Sequence, residues 1–269
     1  MASASNTTET AKVKWRSIAL PVEHGGWGFT FEPILLGLLV AISPAAWEIS
    51  VAAIAVFLAR RPFKLAATDL VRRRWLPRSR VAAGFAIAYG MVALAGIVGA
   101  IVTAAAPFWQ PLLVAAPLAG IAMYADAHSR SRTVGAELAG SIAMGATVTM
   151  IALADDWEIV AAFGLWLVLA ARAVTTVALV RSQIRRVHGR PVGEKTVYGA
   201  EAGTLAILIL AAAADIVPWM AVAAIGAIGV VAYISLQRPP VAAKTVGWTQ
   251  IGVGLGVVLF TAIGVWLPW

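Results

Sequence analysis

Long apolar stretches alternate with short polar ones from residue 25 to the end of the chain. Stretches long enough to span, or nearly span, about 30 Å of hydrocarbon lie at 25–43, 45–60, 81–103, 108–125, 134–154, 157–179, 200–214, 217–236 and 246–267. The pattern predicts an all-α fold, a polytopic transmembrane bundle of nine helices of which the second and seventh are the shortest. Residues 1–16 are polar and lack the apolar core of a cleavable signal peptide, so they are expected to form a disordered tail ahead of a single transmembrane domain over 17–269.

Composition agrees with this reading. The chain is 61% hydrophobic and only 13% charged, where soluble domains carry about a quarter charged residues; it reads as an integral membrane protein. The absence of cysteine excludes disulfides, thiolate nucleophiles and Cys-ligated metals. His24, His128 and His188 are scattered without metal-ligand spacing. Neither a metal nor a cofactor is expected.

The net charge of +8 is a topology signal, not a nucleic-acid footprint. Of the 21 Lys and Arg, 20 fall in the tail or in every second inter-helix segment, the exception being Arg172. By the positive-inside rule the N-terminus is cytoplasmic and the C-terminus outside. Tryptophans collect at headgroup depth: Trp47, Trp109, Trp157, Trp219, Trp266 and Trp269 fall at the outer ends, Trp15, Trp27, Trp75 and Trp248 near the inner ones, and Trp166 alone is mid-span. The inner loops are the longer and more polar, so the working face is expected on the cytoplasmic side.

A guanidinium in mid-membrane costs about 2.5–3.5 kcal/mol on insertion scales, so it normally faces a partner or a watery cavity. Arg172 is therefore the first candidate, followed on the same stretch by Arg181 and Arg185; the plain alternative is that Arg172 snorkels or pairs with an acid to fix packing. At the start of the first apolar stretch, Glu23 and His24 sit among Gly25, Gly26 and Gly28, with Glu32-Pro33 deeper. His24, Gly28 and Glu32 share a helical face that would line a polar cavity, and Glu23, His24 and Glu32 are the candidates for acid–base chemistry. The alternative is that Glu23 and His24 are solvated at the interface and Glu32 is structural. Arg60, Arg61 and Lys64 end the second stretch. Arg60, Lys64 and Thr68 fall on one face, a spacing suited to gripping an anion. Tyr124 is placed at cavity depth, whereas Asp126, His128 and Arg130 read as ordinary loop residues. Glu137 suits a helix N-terminus whatever its function. The last two apolar stretches carry few polar groups and read as scaffold.

A weak internal echo pairs Arg60 and Arg73-Arg74 with Arg172 and Arg185-Arg186, and Tyr124 with Tyr233. It suggests two four-helix repeats, about 20–130 and 131–240, with a last helix at 246–267. Repeats of this kind commonly enclose a binding site between them.

The opening Pro21-Val22-Glu23-His24-Gly25-Gly26-Trp27 to Pro33, the Arg60-Arg61-Pro62 segment and the Arg172 to Arg186 run resemble the YwiC-like family of bacterial membrane proteins. That resemblance implies a bacterial inner membrane. More distantly, the nine helices and the polar segments after the second and sixth resemble the UbiA superfamily of intramembrane prenyltransferases, in which Asp-rich motifs in those two places hold magnesium and a prenyl pyrophosphate. Here the first segment has only Asp69, and no acid occurs between Glu158 and Glu194. Magnesium requires oxygen ligands, generally with carboxylates, so arginine would have to neutralise phosphate directly.

These readings converge on a UbiA-like bundle that binds an anionic lipid or isoprenoid-phosphate-like ligand at its cytoplasmic side, as a metal-independent transferase lacking the Asp-rich motifs. Arg60, Arg61, Lys64, Tyr124, Arg172, Arg181 and Arg185 would hold the ligand. The partners expected are membrane lipids and such a ligand, with no nucleic acid. A transporter or permease, with Glu32 and Arg172 on a translocation route, and a non-catalytic accessory protein are the alternatives. Transport would require a second gate among the short outer loops.

Overall fold

In the computed structural model, residues 15–21, 24–74, 76–191 and 193–267 are described. Ten helices follow one another: α1 (Trp15–Ala19), α2 (His24–Val40), α3 (Pro44–Val71), α4 (Pro77–Thr103), α5 (Pro111–Ala127), α6 (Val134–Ala154), α7 (Ile159–Val187), α8 (Glu194–Ala213), α9 (Trp219–Gln237) and α10 (Ala243–Trp266). Six of them, α4 and α6 to α10, are long and apolar enough to cross a membrane, while the apolar helices in α2 and α5 are shorter. The protein is a multi-pass helical membrane bundle.

Several boundaries differ from those read in the sequence: the sixth stretch, read to 179, runs on as α7 to Val187, and two more differ at a polar end. The second apolar stretch is the start of a 28-residue helix, α3, which continues through Pro62 and the basic residues to Val71. The seventh begins at Glu194, six residues before the apolar run at 200. In both, the polar end of the helix extends past the hydrocarbon, where hydropathy gives no signal. Residues Trp15 and Arg16, assigned to the tail, belong to the short α1, which packs on α3 and α4.

Capping fixes many of the turns. Ser43, Thr133 and Glu158 accept hydrogen bonds from the first-turn N–H groups of α3, α6 and α7. Arg73, Ser129, Asp156, Gly189 and Asp215 follow five helix ends in the left-handed conformation that terminates a helix. Because the helices from α2 onward alternate in direction, the turns at 72–76, 128–133, 188–193 and 238–242 define an arginine-rich end. The opposite end carries Trp47, Trp109, Trp157, Trp219 and Trp266.

The half of the bundle towards the tryptophan end is tightly packed. Leu36, Ile49, Val148, Ile151, Leu165 and Val258 from α2, α3, α6, α7 and α10 form its fully buried centre. Mid-span Trp166 is part of it, donating Nε1–H to the main-chain O of Ile142 at 2.7 Å. A second cluster joins α7 to α8, α9 and α10 around Val168, Leu208, Ile225 and Ile228.

Packing repeats with a shift of four helices. α3 packs on α4, α5 and α6 as α7 packs on α8, α9 and α10; α5 meets α6 as α9 meets α10. The correspondence breaks at two pairs: among the described residues α8 packs on α9 whereas α4 and α5 share no extensive packing, and α2 packs on α6 whereas α6 and α10 share none.

Candidate functional site

Towards the arginine-rich end the helices enclose a cavity of about 980 Å³, walled by α2 to α7 and α10. One face of α7 runs along it, with Arg172, Thr176, Val180, Arg181 and Arg185 at helical spacing. Arg172 and Arg185 are thirteen residues apart, about 20 Å of helix, so one end of this face is deep in the bundle and the other at its rim.

The deep end is built on Arg172, which is 2% exposed. Its Nη2 donates to Glu32 Oε1 at 3.2 Å and to the main-chain O of Gln250 at 2.7 Å, and its Nη1 donates to Gln250 Oε1 at 3.3 Å. Glu32 comes from α2, which runs through Pro33 without ending, and Gln250 from α10. A buried cation is tolerated when a carboxylate and further acceptors replace its lost hydration. Two buried polar atoms here have no protein partner, Arg172 Nε and Thr176 Oγ1; both residues line the cavity. The helices meet closely: a Cβ placed on Gly254 would overlap Glu32 Oε1 and come within 2.9 Å of Arg172 Nη2.

The rim is held by three further ion pairs. Arg60 Nε donates to Asp126 Oδ2 at 2.9 Å, and Lys64 Nζ lies 3.3 Å from Asp126 Oδ1. Thr68 Oγ1 donates to the main-chain O of Asp126 at 3.5 Å. The face of Arg60, Lys64 and Thr68 thus grips an anion, and that anion is a side chain of the protein. Arg181 Nη1 donates to Glu137 Oε2 at 2.8 Å. Six arginines and three acids line the cavity. With Arg60, Arg172 and Arg181 paired to Asp126, Glu32 and Glu137, the remaining Arg132, Arg185 and Arg190 have no carboxylate partner among the described residues. The balance at the rim is positive.

Of the residues singled out in the sequence, Glu32, Arg60, Arg172, Arg181 and Arg185 line this one cavity. Lys64 stands behind it, on Asp126 and Ser131. Arg61, a residue on from Arg60, is turned about 100° around the helix and donates Nε–H to the main-chain O of Ser17 at 2.5 Å. Tyr124 is 64% exposed and its ring lies against His128, because the cavity face of α5 is the one bearing Ala119, Ala122, Met123 and Asp126. Glu23 and the side chain of His24 lie outside the described residues. Asp126 is no loop residue: it is 2% exposed and ties α5 to α3. Its signal was its place in the last turn of a helix opposite the basic face of α3. The last helix is not mere scaffold, since Gln250 and Gly254 complete the setting of Arg172. Glu201, on α8, is another buried acid, with Oε1 unpartnered.

The donors present do not fit a magnesium–pyrophosphate site. Asp69, in the last turn of α3 beyond the apolar stretch, accepts from Arg78 at both carboxylate oxygens and from Ser79 at 2.7 Å, and it does not line the cavity. Hydrogen bonds from Arg78 and then Ser79 hold its carboxyl below the usual carboxylate range. Asp126 is taken up by Arg60 and Lys64, and no group of three potential metal ligands occurs among the described residues.

Fold and site together define a polytopic helical membrane protein with a basic, partly apolar cavity near one end. Residues 20–152, just under half of the chain, match the model of the YwiC-like protein family. The matched stretch holds Glu32, Arg60 and Asp126, and ends before Arg172. No curated protein and no solved structure matches the chain.

Proposed function

We propose that this protein binds an anionic amphiphile, a lipid or isoprenoid-phosphate-like molecule, in the cavity, with its charged group at the arginine-rich end and that end facing the cytoplasm. The observation that carries this reading is the three rim arginines without carboxylates among the described residues, Arg132, Arg185 and Arg190, on a cavity whose exposed surface is mostly apolar. Arginine forks suit phosphate oxygens and need no metal to neutralise them. The apolar walls, with Val56, Phe57, Phe63, Met123, Met144 and Val177, suit a hydrocarbon chain.

Orientation rests on the positive-inside rule. The four-plus-four repeat reading is supported by the recurring packing of α3 and α7 on their neighbours. Glu32 is the carboxylate best placed for acid–base work on a bound ligand, as a metal-independent transferase would require, because it lines the cavity at its deep end. The packed core towards the tryptophan end supports binding over passage, since a translocation route needs an opening there.

Native mass spectrometry of protein purified in mild detergent tests the reading. The wild type is expected to carry a phosphorus-containing lipid or isoprenoid that the variant Arg185→Gln/Arg190→Gln has lost. Both side chains are exposed and unpaired, so the variant keeps the fold. Equal retention by the two proteins would overturn the assignment of the rim.

A further inference from the structure

Among the described residues, the ring of helices around the cavity lacks extensive packing between one pair of neighbours. α2 packs on α3, α3 on α4, α5 on α6, α6 on α7, α7 on α10 and α10 on α2. α4 and α5 both line the cavity yet share no extensive packing among the described residues, whereas the corresponding α8 and α9 do. The cavity therefore continues into a groove between α4 and α5, floored by α3.

The groove is apolar and narrow-walled. Ala86, Gly90 and Ala93 share one face of α4 and cover about 10 Å of its length; Ala119 and Met123 face them from α5, and Val56 of the floor is 53% exposed. A Cβ on Gly90 would meet nothing within 4 Å. The remaining surface of α4 carries exposed Ile87, Met91, Leu94 and Val98, so this side of the bundle faces hydrocarbon.

We propose that the groove between α4 and α5 is the side door of the cavity, through which the apolar chain of a bilayer amphiphile passes and in which it lies while its phosphate sits at Arg185 and Arg190. The inference rests on the anionic-amphiphile reading above and adds where the chain goes. A water-soluble anion gains nothing from an apolar groove, whereas each methylene transferred there avoids no water but fills space that the small residues leave empty. Groove residues and rim arginines line the same cavity, so head and chain can be engaged together. Small side chains on both edges set its width and so the kind of chain that enters.

The test uses the full-length protein in nanodiscs of dioleoyl phosphatidylcholine and dioleoyl phosphatidylglycerol, with farnesyl phosphate as a single-chain probe and glycerol 1-phosphate as a chainless one. Gly90→Phe fills the groove from α4 and Ala119→Phe fills it from α5. Gly84→Phe, also facing open space on α4 but away from the cavity, is the control. Wild type and Gly84→Phe are expected to retain phosphatidylglycerol over phosphatidylcholine, or to bind farnesyl phosphate. Both groove variants are expected to lose this by about tenfold or more while still binding glycerol 1-phosphate. Retention of phosphatidylglycerol identifies a diacyl ligand, and of farnesyl phosphate alone an isoprenoid-like one; each supports the groove if the groove variants lose it. Groove variants that bind chained probes as wild type does would overturn the side door and leave the rim standing. A wild type that binds none of the anionic probes would overturn the amphiphile reading itself, and the side door with it.

Discussion

Arg172 and Glu32, 140 positions apart in sequence, meet at 3.2 Å inside the bundle, and α10 closes over the pair. The ion pair belongs to three helices at once, because Gln250 supplies two more acceptors. Removing one member leaves the other charge buried and alone, which costs on the order of 3–5 kcal/mol, whereas replacing both by apolar groups is far less harmful. Arg172→Leu and Glu32→Leu are each expected to lower the thermal unfolding midpoint in detergent strongly. The double variant is expected to lie well above the sum of the two losses; strictly additive losses would mean that the two groups are not coupled.

Gly254 offers a sharper steric test. Its missing Cβ leaves the space occupied by the Glu32 carboxylate, so Gly254→Ala forces the pair apart and should cost about 1–3 kcal/mol. Gly247, two turns earlier on α10, has nothing within 4 Å of an added Cβ. Gly247→Ala should leave the unfolding midpoint unchanged, so a similar fall in both variants would point to helix-wide effects and not to the contact.

Much of this was legible in the sequence, and the limits have physical causes. Hydropathy finds segments because lipid imposes one period and one length, and a charged residue in such a segment advertises itself, as Arg172 and Glu32 do. Hydropathy says nothing of helices that continue past the hydrocarbon, so the polar ends of α3, α7 and α8 lie beyond the apolar stretches. Which neighbour a glycine touches leaves no trace in composition, and Gly254 and Gln250 therefore read as scaffold. Tyr124 shows the complementary limit: hydropathy places its depth but not its direction around the helix. Asp126 was hidden by adjacency to loop residues, although only three-dimensional packing on Arg60 makes it a structural anion.

The absence of native cysteine makes the orientation directly measurable. Ala214 and Ala242 are exposed residues in turns at opposite ends of the bundle. In intact spheroplasts a membrane-impermeant maleimide is expected to label Ala214→Cys and spare Ala242→Cys, with the reverse in inverted vesicles. The opposite pattern would place the arginine-rich end outside.

Asp69 predicts a dependence on acid. Its carboxyl is held below its unfolded value by Arg78 and Ser79, so its contribution to stability is complete above the ordinary carboxylate range and is lost as pH falls through the lowered folded value. Between about pH 7 and pH 3 the unfolding midpoint of the wild type should fall further than that of Asp69→Asn, which cannot titrate there. Parallel curves would show that the Asp69–Arg78 contact adds nothing.

The most direct measurement is a pair of equilibrium titrations of the wild-type protein in detergent with farnesyl phosphate and with farnesol, which share the chain and differ in the charge. If the rim arginines seat an anion, the phosphate should bind tighter by about tenfold or more, a margin that shrinks as salt is raised. Equal affinity for the two compounds, or no binding of either, would contradict the account.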